Sequence, residues 1–204
     1  VMDNVVGTTN ILDYARNLDS LEMFSYFSTD EIFGPAPGNV QYKENDRYNS
    51  TNPYSATKAG AEELVVAYEN TYGLPSFITH TMNVFGERQH PEKYIPMTIN
   101  KVQNGDEVTV HANKEKTIAG SRHYIHAKDV ANALLFLFNY DINKMEIDSS
   151  GVKCQKFNIV GKDEISNLDL AKFIADTQKK PLNYKMVDFH SQRPGHDLRY
   201  ALDG

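Results

Sequence analysis

The run Met23-Phe24-Ser25-Tyr26-Phe27 stops abruptly in Ser28-Thr29-Asp30-Glu31. A short aromatic-rich run bounded by polar residues has the length and type of a buried strand, so the polar cluster falls just past the strand's carboxyl end. In open α/β sheets ligands bind outside the carboxyl ends of the strands, which makes these four side chains candidates to face a site. The competing reading is local, because Ser, Thr and Asp also cap helices and close turns.

The rest of the chain shows the alternation that such a sheet requires. Val6, Ile11, Leu12, Ala15 and Leu18 recur at near-helical spacing over 5–18. Gly34-Pro35-Ala36-Pro37-Gly38 reads as loop, and 41–50 as polar, irregular chain. Asn52 can cap a helix with Pro53 in its first turn, and the alanines, glutamates and leucine of 54–68 favour its continuation. Further strands are expected over 74–81, 107–111, 122–126 and 157–161. Helices are expected over 91–102, kinked or restarted at Pro96, and over 127–138 and 167–178. Residues 141–151 form the most polar linker. This order predicts an α/β fold with mostly parallel strands.

Tyr54 and Lys58 are four apart and therefore share one helix face. A nearby ammonium favours phenolate and lowers a tyrosine pKa, which a tyrosine needs in order to accept a proton near neutral pH. Tyr-x-x-x-Lys alone is a weak pattern that also occurs on ordinary helix surfaces. Joined to the hydroxyls and paired carboxylates of 28–31, it suggests a single proton-moving site.

Composition narrows the ligands. With 40% hydrophobic residues in 204, the chain can bury a real core. No apolar run approaches the roughly 20 residues of a membrane span, and Val1-Met2-Asp3-Asn4 has no basic-then-apolar signal pattern, so a cytoplasmic protein is expected. A formal charge of -6 argues against nucleic acid or an anionic membrane as partner, yet leaves room for small anions wherever cations cluster. The single cysteine, Cys154, allows no intrachain disulfide and reads as packing. His80, His111, His123 and His126 lack spacing of the H-E-x-x-H type, so no metal is expected.

Ser28-Thr29-Asp30-Glu31 with Tyr54-x-x-x-Lys58 resembles the extended short-chain dehydrogenase/reductase family, the NAD-dependent epimerase/dehydratases, and within it the dTDP-glucose 4,6-dehydratases. Asn83-Val84-Phe85-Gly86, Pro91-Glu92-Lys93-Tyr94-Ile95-Pro96, Arg122 before Tyr124-Ile125-His126, Phe157-Asn158-Ile159-Val160-Gly161 and Arg193-Pro194-Gly195-His196-Asp197 agree, in order, over nearly the whole chain. The resemblance implies a partial Rossmann-type parallel sheet with a smaller C-terminal substrate-binding region. Residues 1–82 would belong to the NAD-binding domain and 83–204 mainly to the nucleotide-sugar region, with elements near 156–161 returning to the sheet. NAD as cofactor, a nucleotide-diphosphate sugar as substrate and a homodimer are implied likewise.

By the same resemblance Tyr54 takes the proton of the sugar 4-hydroxyl while C4 is oxidised by NAD, Lys58 holds the nicotinamide ribose beside Ser28, and Thr29 hydrogen-bonds the 4-hydroxyl. Glu31 then removes the acidified C5 proton and protonated Asp30 donates to the departing 6-hydroxyl. Adjacent carboxylates in different protonation states need environments that push their pKa values apart. In this family 4-epimerases usually lack the Asp-Glu pair, and decarboxylases and GDP-mannose dehydratases tend to carry serine in place of the aspartate, so Thr-Asp-Glu favours 4,6-dehydration. Epimerase, decarboxylase and non-catalytic binding fragment remain the alternatives.

A diphosphate needs cations and amide donors, and the resemblance assigns Asn83, Arg122, Asn158 and Arg193 to it or to the nearby nucleotide, with Lys93 and Tyr94 near the base and His196 beside Arg193. Lys93 also reads as a surface lysine, His196 as a turn residue and Asn158 as a strand-end cap. One departure stands out: the sequence has no G-x-x-G-x-x-G or G-x-G-x-x-G turn after a strand. An N-terminally truncated chain that binds NAD weakly or not at all is therefore expected.

Overall fold

The computed structural model describes residues 1–140, 154–192 and 197–204. Its central feature is a parallel sheet in which β2 (Ser76–Thr81) lies between β1 (Phe24–Ser28) and β7 (Gln155–Ile159). All six residues of β2 are buried, the pattern of a parallel strand covered on both faces. Alternation along the strand divides them between two cores. Ile78 meets Leu12, Ala15, Val65, Leu74 and Cys154 on one face. Phe77 meets Ile125, Val130, Leu137 and Ile159 on the other.

The first face is covered by α1 (Gly7–Ala15) and α2 (Pro53–Tyr72), the second by α4 (Ala127–Asn139). The expected start of α2 is seen in full: Asn52 Oδ1 accepts from Ser55 N at 2.9 Å, and Ser55 Oγ closes a reciprocal capping box. Pro53 occupies the first turn, where a missing N–H costs nothing. The same logic corrects the break expected at Pro96. Helix α3 (Tyr94–Asn104) begins only two residues earlier, so Pro96 lies in the first turn and the helix runs on.

A second layer is built by β4 (Val108–Ala112) and β9 (Tyr184–Asp188), paired in parallel and packed with α3 and α5 (Asn167–Gln178) around Val102, Val108, Val110, Ala171 and Ile174. Strand β9 has no expectation behind it. The strand expected over 122–126 is divided into β5 (Ser121–His123), antiparallel to β8 (Glu164–Ser166), and β6 (Ile125–His126), parallel to β3 (Val84–Phe85). The polar linker expected over 141–151 lies outside the described residues. Among the described residues, no helix is long and apolar enough to cross a membrane.

Candidate active site

Where β1 ends, the chain enters a single 3-10 turn, Asp30–Phe33. Thr29 caps it: its Oγ1 accepts from Glu31 N at 3.3 Å and donates to Asp30 Oδ1 at 3.0 Å. The turn therefore does use local capping, and it also presents both carboxylates to a cleft. Ile32 and Phe33 sink into a core with Met82, Tyr200 and Leu202, anchoring the turn from below. Gly34 ends it at φ +77°, and a Cβ there would stand 2.4 Å from the Asn49 carbonyl, so glycine is required.

Asp30 is buried. Burial pushes its carboxyl up to about 6, Arg122 pulls it down, Glu31 pushes it up again, and the Thr29 hydrogen bond opposes that. Glu31 is held by a different contact, Asn52 Nδ2 donating to its Oε2 at 2.9 Å. The two adjacent carboxylates thus occupy unlike environments.

Tyr54 is 48% exposed at the mouth of α2. Its pKa is raised, first by burial and then by the charges of Glu31 and Asp30. The expected lowering by Lys58 is thereby corrected. The Lys58 ammonium instead donates to the Phe27 carbonyl and lies 4.2 Å from the centroid of the Tyr26 ring. Burial lowers the Lys58 pKa while Glu62 raises it. The two residues still stand one helical turn apart on α2, with the ammonium against the carboxyl end of β1 where Ser28 is buried. Hydroxyl, phenol and ammonium are the kinds of group that fit the hydroxyls of a ribose such as NAD carries.

Two adjoining cavities of about 610 and 380 Å³ share Asp30, Glu31, Asn83, Lys93, Tyr94 and Tyr124. Thr29 and Tyr54 line the smaller, while Arg122, Lys101, His90 and His111 bring cationic or titratable groups to the larger. Arg122 is braced by donating to the carbonyls of Ser121, Asp197 and Leu198, with its guanidinium 5.0 Å from the Tyr200 ring centroid. Asn83 adopts φ +44° at the strand exit. Tyr94 and Tyr124 both donate to Asn167, to its carbonyl at 2.6 Å and its Oδ1 at 2.9 Å, closing the floor between α3 and α5.

Thr29, Asp30, Glu31, Tyr54, Asn83, Lys93, Tyr94 and Arg122 therefore converge on the two cavities. Ser28 and Lys58 lie beside them without lining either, and one expected residue is engaged elsewhere. Asn158 lines neither cavity: its Nδ2 donates to the Tyr42 and Asp203 carbonyls and its Oδ1 meets His80 Nδ1 at 2.9 Å. It bolts the chain's last residues to the sheet. Arg193 and His196 lie outside the described residues. His111, edge-on to Phe189 at 5.2 Å, Lys101 and Asn167 join the site without any local sequence signal. Among the described residues, no group of three or more His, Cys, Asp or Glu side chains is placed to hold a metal.

A family model, the NAD dependent epimerase/dehydratase family, matches residues 1–147. The low-salt glycan biosynthesis protein Agl12 of Haloferax volcanii is 37% identical over 204 residues, covering 100% of this chain and 60% of that protein. A dTDP-glucose 4,6-dehydratase of Escherichia coli is 33% identical over 226 residues, covering 98% and 59%. Among solved structures, the dTDP-glucose 4,6-dehydratase DesIV of Streptomyces venezuelae, with NAD and TYD bound, superposes with a TM-score of 0.81 at 30% identity, covering 98% of this chain and 57% of that one. The UDP-glucose 4-epimerase of Thermus thermophilus, at TM-score 0.84 and 24% identity over 98% and 61% of the two chains, shares the fold. The chain spans about 60% of the length of the relatives it matches.

Proposed function

Since the chain belongs to the NAD dependent epimerase/dehydratase family, we propose that its cleft is the catalytic and substrate-binding part of a nucleotide-sugar 4,6-dehydratase, turning a dTDP- or UDP-glucose into the 4-keto-6-deoxy sugar. Residues 1–82 would carry the chemistry and 83–204 mainly the nucleotide sugar. The observation that carries this reading is Asp30, a buried carboxyl pushed up to about 6 directly beside a second carboxyl. Eliminating water across C5 and C6 needs one group to take the C5 proton and another to protonate the leaving 6-hydroxyl. A 4-epimerase has no leaving group to protonate and gains nothing from such a pair.

The roles are those the family resemblance implies, and the placement of the side chains is compatible with them. Asp30 keeps an appreciable protonated share near neutral pH and is the acid; Glu31, tethered by Asn52, is the base at C5. Tyr54 takes the 4-hydroxyl proton. Burial and the two carboxylates keep the phenol protonated at rest, so Lys58 must swing from the Phe27 carbonyl toward it before it ionises near neutral pH. Ser28, Tyr54 and Lys58 are the residues that would hold NAD, whose chemistry when bound would be to accept hydride from C4 and, once water has left across C5 and C6, to return it to C6, so that C4 stays a ketone and the cofactor is restored. Arg122, Lys93 and Asn83 line the route for the diphosphate.

The test uses a chain extended to the relatives' full length, supplied with NAD and dTDP-glucose. Asp30→Asn should slow water loss at least ~100-fold more than C4 oxidation, the latter read by trapping the 4-keto hexose with borodeuteride. Equal loss of both steps overturns the role of Asp30.

A further inference from the structure

Tyr54, Lys58 and Glu62 follow one another at intervals of four on α2 and so form one stripe of the helix. Tyr54 lines the smaller cavity, Lys58 rests against the carboxyl end of β1 on the Phe27 carbonyl, and Glu62 turns inward and is fully buried. Its Oε2 accepts from Tyr48 Oη, meets His80 Nε2 at 3.3 Å and lies 3.8 Å from Lys156 Nζ. A carboxylate persists in an interior only where it is paired and hydrogen-bonded. Burial pushes the Glu62 carboxyl up, but His80, Ser28 and Tyr48 outweigh it and hold it below the ordinary value.

The donors come from three separate segments: Tyr48 from the loop before α2, His80 from β2 and Lys156 from β7. Two of them also grip the carboxylate turn. Phe33, the last residue of that turn, is fully buried and meets the His80 ring edge-on at 5.0 Å and the Tyr48 ring edge-on at 5.4 Å. His80 and Tyr48 therefore each hold α2 through Glu62 and the turn through Phe33.

We propose that Glu62 is a positioning residue: through Tyr48 and His80 it locks the helix bearing Tyr54 and Lys58 to the turn bearing Asp30 and Glu31, and so fixes the spacing between phenol and carboxylate pair. The inference rests on the assignment of those four residues to one site. Glu62 itself lines neither cavity, so it acts on the chemistry only through the residues it holds.

The experiment needs no ligand and is done on the 204-residue chain. Carbon NMR follows the Asp30 carboxyl and the Tyr54 phenol carbon through a pH titration, each assigned by loss of its signal in Asp30→Asn and Tyr54→Phe. Asp30 is faced by Thr29 and Glu31 on its own turn, by Arg122 from β5 and by Tyr54 from α2. In Glu62→Gln the turn loosens and admits water, so the Asp30 midpoint falls from about 6 by about half a pH unit or more, and the Tyr54 signal moves. Tyr48→Phe keeps the ring on Phe33 but removes one donor to Glu62, giving a smaller change in the same direction; it decides the matter alone if Glu62→Gln does not fold. Unmoved Asp30 and Tyr54 titrations in a folded variant, with only a lower Tm, would mean that Glu62 is a core residue and nothing more. Failure of the dehydratase reading would appear instead as absent water loss in the chain extended to the relatives' full length, while the Glu62→Gln shifts of the Asp30 and Tyr54 titrations persist.

Discussion

Asn52 Nδ2 donates to Glu31 Oε2 at 2.9 Å, so the residue that starts the helix of Tyr54 also holds one of the two carboxylates facing it. Its Oδ1 caps the helix while its Nδ2 holds the Glu31 carboxylate. Asn52→Ala removes both, and by loss of the cap should destabilise the chain by about 1 kcal/mol in chemical denaturation. Asn52→Asp keeps a capping oxygen but sets a like charge against Glu31. It should restore most of the stability while leaving the Glu31 carboxyl signal displaced in NMR; full restoration of both would show that the contact with Glu31 does not orient it.

Asp30 makes stability depend on pH in a definite direction. Its folded value of about 6 lies above the ordinary aspartate value of 3.8, so its contribution is fully present below about 4 and is lost as pH rises through 6. The difference corresponds to about 3 kcal/mol. Asp30→Asn cannot ionise and should be more stable than the unsubstituted chain at pH 7 by about 1–3 kcal/mol, with the gap closing as pH falls to 4. Urea midpoints of the two chains from pH 4 to 7 measure this. A constant gap would show that Asp30 ionises in the fold as readily as in the unfolded chain.

Pyrophosphate binding in a Rossmann fold relies on a glycine-rich turn opening onto a helix. Among the described residues, the positive-φ glycines Gly34, Gly38, Gly73, Gly86 and Gly105 are spread singly over loops and helix ends. The 204-residue chain should accordingly bind NAD weakly, with no isotherm in the micromolar range by calorimetry. Micromolar affinity would show that Tyr54, Lys58 and their neighbours suffice.

The sequence is most legible where its signals are local. The aromatic run ending in Thr29-Asp30-Glu31, the Asn52-Pro53 start of α2 and the periodic stretch at Asn167–Gln178 each carry their own period or cap and form the expected element. The strand read as buried is nonetheless half-buried, with Phe27 exposed. Strand β9 escapes because Tyr184 and Lys185 are exposed and its pairing with β4 spans more than seventy residues. Lys58 is misplaced for a similar reason: helical spacing puts it beside Tyr54, but the Phe27 carbonyl and Tyr26 ring of the neighbouring strand decide where its ammonium rests. Asn158 reads as a ligand group in its motif, yet Tyr42, His80 and Asp203 take up its amide in the fold. The four-residue step from Lys58 to Glu62 was visible in the chain; its partners Tyr48, His80 and Lys156 were not.

Mass spectrometry of the sugar nucleotide after reaction in D2O addresses the central claim, that Asp30, Glu31 and Tyr54 together carry out a 4,6-dehydration. In a chain extended to the relatives' full length, with NAD and dTDP- or UDP-glucose, the product should have lost one water and gained one deuterium at C5, where Glu31 removes a proton that solvent replaces. A product with its hexose composition intact, no deuterium at C5 and inverted configuration at C4 would contradict the account and make the protein a 4-epimerase.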